Sequence, residues 1–323
     1  MRKSIFAVPM ILIVLCMAAC TPFEHKEIRF GAGDKNGGFY AYAKALSALA
    51  DEGTFAIEST AGSAENIRKI RDGELDMAIV QTDTLYDAYF GKGVFQESGA
   101  VRDIAAVAAI YVSACHIVVR ADSDIYSIAD LRGKTISPGL PGSSTRKNAE
   151  QILTEVGLTF ADVFLSDISF SDSAAALQSG AIDAFFCTTM VGAQALDLPD
   201  HTTPIRVLGM DDELIQRLIT KYNFELTTIP AETYLGQHKS VATVGTKAIL
   251  IAGTEVSAHK VMTVIQLLFG NTQEIKGTLM LDRILDVDFA TQDIPIPFHE
   301  GTAEFYSNSG VQVVLYFDPA ITG

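Results

Sequence analysis

Positive charge is scarce in this 323-residue chain. Lys and Arg number 24 against 39 Asp and Glu, a net charge of −15. A nucleic-acid binder needs a basic footprint, so that class is excluded. Cysteine is scarce too: there are four, with no CxxC pair, so no zinc site is legible. The chain has no GxSxG, no HExxH and no Walker lysine, so it reads as a non-enzyme. Beyond residue 19 no long hydrophobic run occurs. Ile249–Ala252 and Val264–Phe269 have only the length of core elements. What is present is ordinary globular composition, 48% hydrophobic and 20% charged, in a length suited to two lobes.

Residues 1–19 read as a signal peptide. Arg2 and Lys3 precede an apolar run, Ile5–Ala19, of 15 residues, which is too short to span a bilayer. Met17-Ala18-Ala19-Cys20 resembles a lipobox, with Met17 in place of the usual Leu. Cleavage before Cys20 and diacylation of its thiol would anchor the protein, since each buried CH₂ contributes about 0.8 kcal/mol. Plain secretory cleavage nearby is the alternative. The expected location is periplasmic or extracytoplasmic, lipid-anchored to a membrane through Cys20, with residues 20–26 as tether. Loss of the leader's two cations takes the net charge to −17. Of the remaining thiols, Cys115 and Cys187 are either small buried groups or, in an oxidising compartment, a pair.

From Glu27 the chain alternates strand and helix patterns. Ile28-Arg29-Phe30 leads into the glycine-rich stretch 31–38, and Ala41, Ala45, Ala48 and Leu49 then recur at helical spacing. Phe55–Glu58 reads as a strand. Ser63 is a candidate N-cap for a helix that Gly73 stops, and Met77–Val80 is a buried strand. The same order returns roughly 105 residues later. Thr135-Ile136 enters Gly139–Ser144, a helix carries Ala149, Ile152 and Leu153, and Val163–Leu165 is a strand. Asp172 is a candidate cap, Gly180 a stop, and Ile182–Cys187 a buried strand. Even the stops match: Gly73-Glu-Leu-Asp76 and Gly180-Ala-Ile-Asp183. Two copies predict two α/β lobes with largely parallel sheets. One continuous doubly wound sheet is the alternative.

Ligands of such sheets bind beyond the carboxyl ends of the strands. Lobe one offers there the amides of Gly37 and Gly38, the hydroxyls of Tyr40, Ser59, Thr60 and Ser63, and Gln81. Lobe two offers Ser137, Gly139, Ser143, Ser144, Thr145, Thr188 and Thr189. Helix N-termini follow Gly38, Ser63 and Gly142, and their unpaired N–H groups favour an anion. Each dipole contributes roughly 0.3–1 kcal/mol. Each hydrogen bond to a charged group contributes about 1.5–3 kcal/mol. A carboxylate can therefore be held without arginine. Gly31-Ala-Gly33 has the look of a dinucleotide loop, but the spacing to Gly37 and Gly38 departs from GxGxxG, so no cofactor is expected. Cys115 and His116 adjoin on a strand and so face opposite sides. His299 follows a Pro-rich turn and reads as a structural hydrogen-bonding residue.

The stretches Gly37–Tyr40, Ser59–Asn66, Gly73–Asp83 and Tyr89–Gly93 resemble the TAXI family of solute receptors, which serve TRAP (tripartite ATP-independent periplasmic) transporters. Leu131–Lys134, Pro141–Thr145, Ile229–Tyr234 and Ile296–Gly301 continue the resemblance across residues 27–310. It implies a two-lobed periplasmic-binding-protein fold, type II-like, each lobe a mostly parallel sheet flanked by helices. Lobe one would span 27–117 and 229–323, and lobe two 118–228. It implies capture of a small organic acid or amino acid, such as glutamate, glutamine or a dicarboxylate, by lobe closure, with no catalysis. The partner would be a TRAP-type membrane permease. The contacts carried over are Tyr40, Ser59, Thr60, Ser63 and Gln81, with Gly139–Thr145 in lobe two. The chain departs from the family at Asp34-Lys-Asn36, at Tyr111–Cys115 and at Thr188–Val191. The alternative function is a ligand-sensing or surface-antigen lipoprotein on the same fold.

Overall fold

Short apolar strands, each followed by a glycine turn and a helix, return to the sheet as parallel crossovers. The computed structural model describes residues 27–315 and shows that outcome twice. The expected signal peptide, Cys20 and the tether lie outside the described residues. The first copy comprises β1 (Ile28–Gly31), α1 (Gly38–Ala48), β2 (Phe55–Glu58), α2 (Ser63–Arg71), β3 (Met77–Gln81) and α3 (Thr82–Phe90). β1 lies between β2 and β3 and is parallel to both. A long strand, β4 (Ile104–Arg120), then leads to the second copy. That copy comprises β5 (Thr135–Ser137), α4 (Ser144–Glu155), β6 (Phe164–Leu165), α5 (Phe170–Ser179) and β7 (Ala184–Thr189). Here β5 lies between β6 and β7, again parallel to both.

The chain continues through β8 (Ile205–Val207), α6 (Asp212–Tyr222), β9 (Glu225–Ile229) and β10 (Val241–Gly253). It closes with α7 (Ala258–Gly270), α8 (Thr272–Leu279), α9 (Val287–Thr291) and α10 (Ala303–Asn308). The fold is the mixed α/β, periplasmic-binding-protein-like arrangement, with parallel strands flanked by helices in each lobe. The sheets are nevertheless not separate. One ten-stranded sheet runs β2-β1-β3-β10-β4-β7-β5-β6, with β8 and β9 paired to β4 and β10. The reason is the length of β4 and β10. These antiparallel strands carry main-chain hydrogen bonds from one lobe into the other, with register shifts near Ala248 and Leu250.

The apolar side chains nonetheless divide. One core gathers Phe30, Leu46, Ile67, Ile79, Val107 and Ile251. The far half of β4 feeds two others by strand alternation: Ile117 and Val119 enter one with Ile136 and Phe186, and Val118 enters the other with Phe185 and Leu177. Among the described residues no helix is long and apolar enough to cross a membrane.

Two capping expectations are corrected. Gly62, at φ 116, caps α2, and Ser63 is its first helical residue. The Ser63 hydroxyl accepts instead from the Gln81 N–H at 3.0 Å. Ser169, not Asp172, caps α5; its Oγ accepts from the Asp172 N–H, and the Asp172 carboxylate accepts from that hydroxyl at 2.7 Å. Cys115 and Cys187 are both buried and free. Burial pushes the Cys115 thiol up to about 12, so it stays protonated.

Candidate functional site

All six parallel strands end at one cavity of about 60 Å³ between the lobes. Residues Gly33–Asp34 and Gly37–Phe39 follow β1, Thr60–Ser63 follow β2, and Gln81 ends β3. From the other lobe, Leu140 and Ser143–Thr145 follow β5, Ile168–Phe170 follow β6, and Thr188–Thr189 end β7. Phe39, Leu140, Ile168 and Phe170 form the apolar wall. On this scale a water needs about 10–15 Å³, so the cavity suits a small ligand.

Its electrostatics come from the backbone. The N-caps of α1 to α5 are Gly37, Gly62, Gln81, Ser143 and Ser169. All five line the cavity. Five positive helix ends therefore face one small volume. In lobe two the caps satisfy themselves: the Ser143 and Ser169 hydroxyls accept from Arg146 N–H and Asp172 N–H. In lobe one no cap makes a side-chain hydrogen bond to its own helix. Asp34 is the one charged side chain of the wall among the described residues. The nearby arginine of α4, Arg146, is turned onto the carboxylate of Asp167 and the ring of Phe160.

A buried frame fixes the rims. Thr60 Oγ1 donates to Asn66 Oδ1 at 2.6 Å and accepts from Gly33 N–H at 3.1 Å. Asn66, fully buried, donates to the Ile79 carbonyl at 2.8 Å. Across the cavity, Thr145 Oγ1 accepts from Thr188 N–H at 3.2 Å. Behind that floor, His116 Nδ1 lies 2.9 Å from the Ala114 carbonyl and 3.1 Å from the Cys187 carbonyl. Two acceptors there place the proton on Nδ1, so Nε2 accepts from Tyr234 OH at 3.0 Å. The same hydroxyl accepts from Gly192 N–H at 2.9 Å, so the pair brackets the turn after β7. Burial lowers the imidazole to about 4, and it is neutral at pH 7.

The lobes touch directly. Gly38 N–H donates to Thr189 Oγ1 at 2.8 Å, and Thr84 and Ser144 hydroxyls meet at 2.7 Å. Asn148 donates to Asp83 at 3.1 Å. Lys147 donates to Asp87 at 2.6 Å and lies 3.5 Å from Asp83. Burial works against the Lys147 charge, but both carboxylates outweigh it and raise its pKa. Gly38 sits at a backbone-close contact between the halves. A Cβ there would stand 2.7 Å from Met190 Cβ and 2.9 Å from its backbone nitrogen.

Of the twelve ligand residues expected from sequence, the cavity gathers eight: Gly38, Thr60, Ser63, Gln81, Ser143, Ser144, Thr145 and Thr188. Four stand off its wall. Tyr40 packs against the lobe-one core. Ser59 is exposed and donates to the Gly33 carbonyl. Ser137 is buried against the Ser173 hydroxyl at 2.7 Å. Gly139, at φ +95, lets its loop lie against Ser143 and Thr145. Sequence reasoning missed the wall made by Phe39, Ser169 and Phe170. The Ser169-x-x-Asp172 spacing, a hydroxyl three residues before an acid, was the available signal. Cys115 makes no dyad with His116; its sulfur is 3.4 Å from Thr188 Oγ1. His299 caps a short turn, accepting from Gly301 N–H at 3.0 Å.

Comparison with solved structures gives a protein of Bordetella bronchiseptica RB50 at 15% identity, covering 91% of this chain and 85% of that one, with a TM-score of 0.53. The periplasmic aliphatic sulphonate binding protein SsuA of Escherichia coli matches at 18% identity over 79% of each chain, TM-score 0.47. A putative L-cystine ABC transporter protein of Listeria monocytogenes matches at 13% identity over 79% of this chain and 95% of that one, TM-score 0.48. At these identities the likeness is one of fold. A family model matches residues 30–310, most of the sequence, and on that match the chain belongs to the NMT1-like family.

Proposed function

We propose that the chain is an extracytoplasmic solute-binding receptor. It captures a small carboxylate or amino acid by closure of two lobes, residues 27–117 with 229–323 against residues 118–228. It delivers the ligand to a membrane permease, of the TRAP type that the TAXI resemblance implies. Cys20 carries the lipid that holds it at the membrane. The role is binding, not catalysis.

One observation carries this reading: five helix N-caps from both lobes surround one cavity of about 60 Å³. Hydrogen bonds from first-turn N–H groups to a carboxylate contribute about 1.5–3 kcal/mol each. Two or three of them, with the dipoles, reach micromolar affinity, about 8 kcal/mol, after closure costs. The direct interlobe ties hold the halves together around whatever is enclosed.

Thermal denaturation in a panel of amino acids and organic acids tests the proposal. A true ligand at 100 times Kd stabilises by about 2.7 kcal/mol. A broad panel without any stabilisation contradicts it.

A further inference from the structure

The cores mark where β4 and β10 pass from one lobe to the other. On β4, Tyr111 belongs to the lobe-one core and Cys115 to a lobe-two core; on β10, Ala248 belongs to the first and Val244 to the second. The crossing therefore lies at Gly245–Lys247, which pairs with Val112–Ala114. Among the described residues Lys247 is the one buried lysine, its side chain only 6% exposed. Taking an ammonium out of water is costly unless partners surround it. Here they come from both sides. Nζ donates to the Gln292 carbonyl at 3.0 Å and lies 3.5 Å from the Asp293 carboxylate, both just after α9. It lies 5.1 Å from the ring centroid of Phe289, which packs in the lobe-one core. The third partner is the Glu225 carboxylate at 3.7 Å, at the start of β9, beside Phe224 of a lobe-two core. Glu225 pairs with Gly245, and Lys247, two residues on, shares that face of the sheet. The Lys247 carbonyl also accepts from Thr82 Oγ1 at 3.0 Å, next to Gln81 in the cavity wall.

We infer that Lys247 is the pin of the hinge: its ammonium ties β9 of lobe two to the turn after α9 of lobe one where β10 crosses, and so holds the rims of the cavity together. The inference rests on the receptor reading and adds the residue that governs closure. Lys247 touches no ligand; it is a positioning residue. Rotation about the two crossing strands carries Glu225 with one lobe and Asp293 with the other. Both cannot then keep their distance to one ammonium. Opening breaks at least one of these contacts, and the contacts favour the state in which all are made. Removing the charge therefore shifts the lobes toward the open arrangement.

Native-state hydrogen exchange, followed by NMR on the unliganded protein, tests the pin without any ligand. Gly38 is the first residue of α1, so its N–H has no partner within the helix; its bond crosses to Thr189. Exchange at Gly38 therefore follows lobe opening, whereas the Ile79 and Val80 amides of the central strand β3 follow global unfolding. Lys247→Met is expected to speed Gly38 exchange about tenfold or more relative to the β3 amides. Lys247→Arg keeps the charge and should stay within about threefold of the parent. Asp293 is exposed, at a φ of 55° that asparagine also adopts. Asp293→Asn should speed Gly38 exchange about two- to fivefold, and it decides the matter if Lys247→Met fails to fold. Gly38 and β3 amides speeding up in step in Lys247→Met overturn the inference and leave the receptor reading standing. So does Gly38 exchange that Lys247→Met, or Asp293→Asn in its place, leaves unchanged. Gly38 exchanging no faster than the β3 amides in the parent protein means that the lobes do not part, and overturns both.

Discussion

The two lobes share a strand order and differ at their helix starts. Lobe two closes its own caps with Ser143 and Ser169 hydroxyls. Lobe one caps with Gly37, Gly62 and Gln81, none of which bonds back to its helix. The cap hydroxyls of lobe two are thus already in use, whereas in lobe one the Gly38 N–H goes to Thr189 and the Thr84 N–H to Asp83, and α2 starts from a glycine with no cap hydroxyl at all. An anion gains most where the donors are unsatisfied, at the start of α2 above all. The second lobe supplies most of the apolar wall, Leu140, Ile168 and Phe170, with Phe39 from the first. In the proposed receptor, one half of the duplicated frame would hold the ligand and the other would cover it.

That division can be tested, beginning with the strongest perturbation. Gly38→Val puts a side chain where Met190 backbone leaves no room. Overpacking costs about 1–3 kcal/mol, so ligand affinity by calorimetry should fall about fivefold to more than a hundredfold, with each lobe still folded. Acid acts on lobe two through His116. Its folded pKa of about 4 lies below the ordinary value of 6.5. The unfolded chain therefore binds the extra proton first as pH falls. The stabilisation is complete above about pH 6.5 and drains away down to about pH 4, by about 3 kcal/mol at most. Urea unfolding across that range should show this slope, and His116→Gln should flatten it.

The rim anchors differ as well. Asn66→Ala orphans the Ile79 carbonyl and the Thr60 hydroxyl and should cost about 2–3 kcal/mol. Ser173→Ala removes the hydroxyl contact with Ser137 and a bond to the Ser169 carbonyl from the matching place in lobe two, and should cost about 1–2 kcal/mol. Equal losses on denaturant unfolding would erase the contrast. Lys147→Met cuts an interlobe ion pair that is partly exposed and screened, so its effect on affinity should stay within a few-fold and shrink further in salt.

The fold was legible because glycine loops and stop signals repeat in order. The joined sheet was not: at 17 residues β4 is three times the usual strand, and no local pattern announces where such a strand stops belonging to one lobe. The candidate cavity was legible at the level of loops. Eight residues fell in the wall because strand ends and helix starts must meet there. Tyr40, Ser59 and Ser137 missed it because a loop or helix side chain's direction depends on what packs behind it. Ser63 and Asp172 were misassigned by one step of capping geometry: Gly62 takes the positive φ that a serine resists, and Ser169 stands one turn earlier with the same chemistry. The Phe39 and Phe170 wall had no polar signature to find.

The central claim is that a small acid sits on the open amides of lobe one and is covered by lobe two. Diffraction from crystals grown with a stabilising ligand tests it most directly. The account predicts density for a carboxylate within hydrogen-bond distance of the Ser63 and Ala64 N–H groups, with Thr188 and Thr189 closing over it. Ligand density elsewhere, or lobes closed on that cavity with the ligand outside, would contradict it.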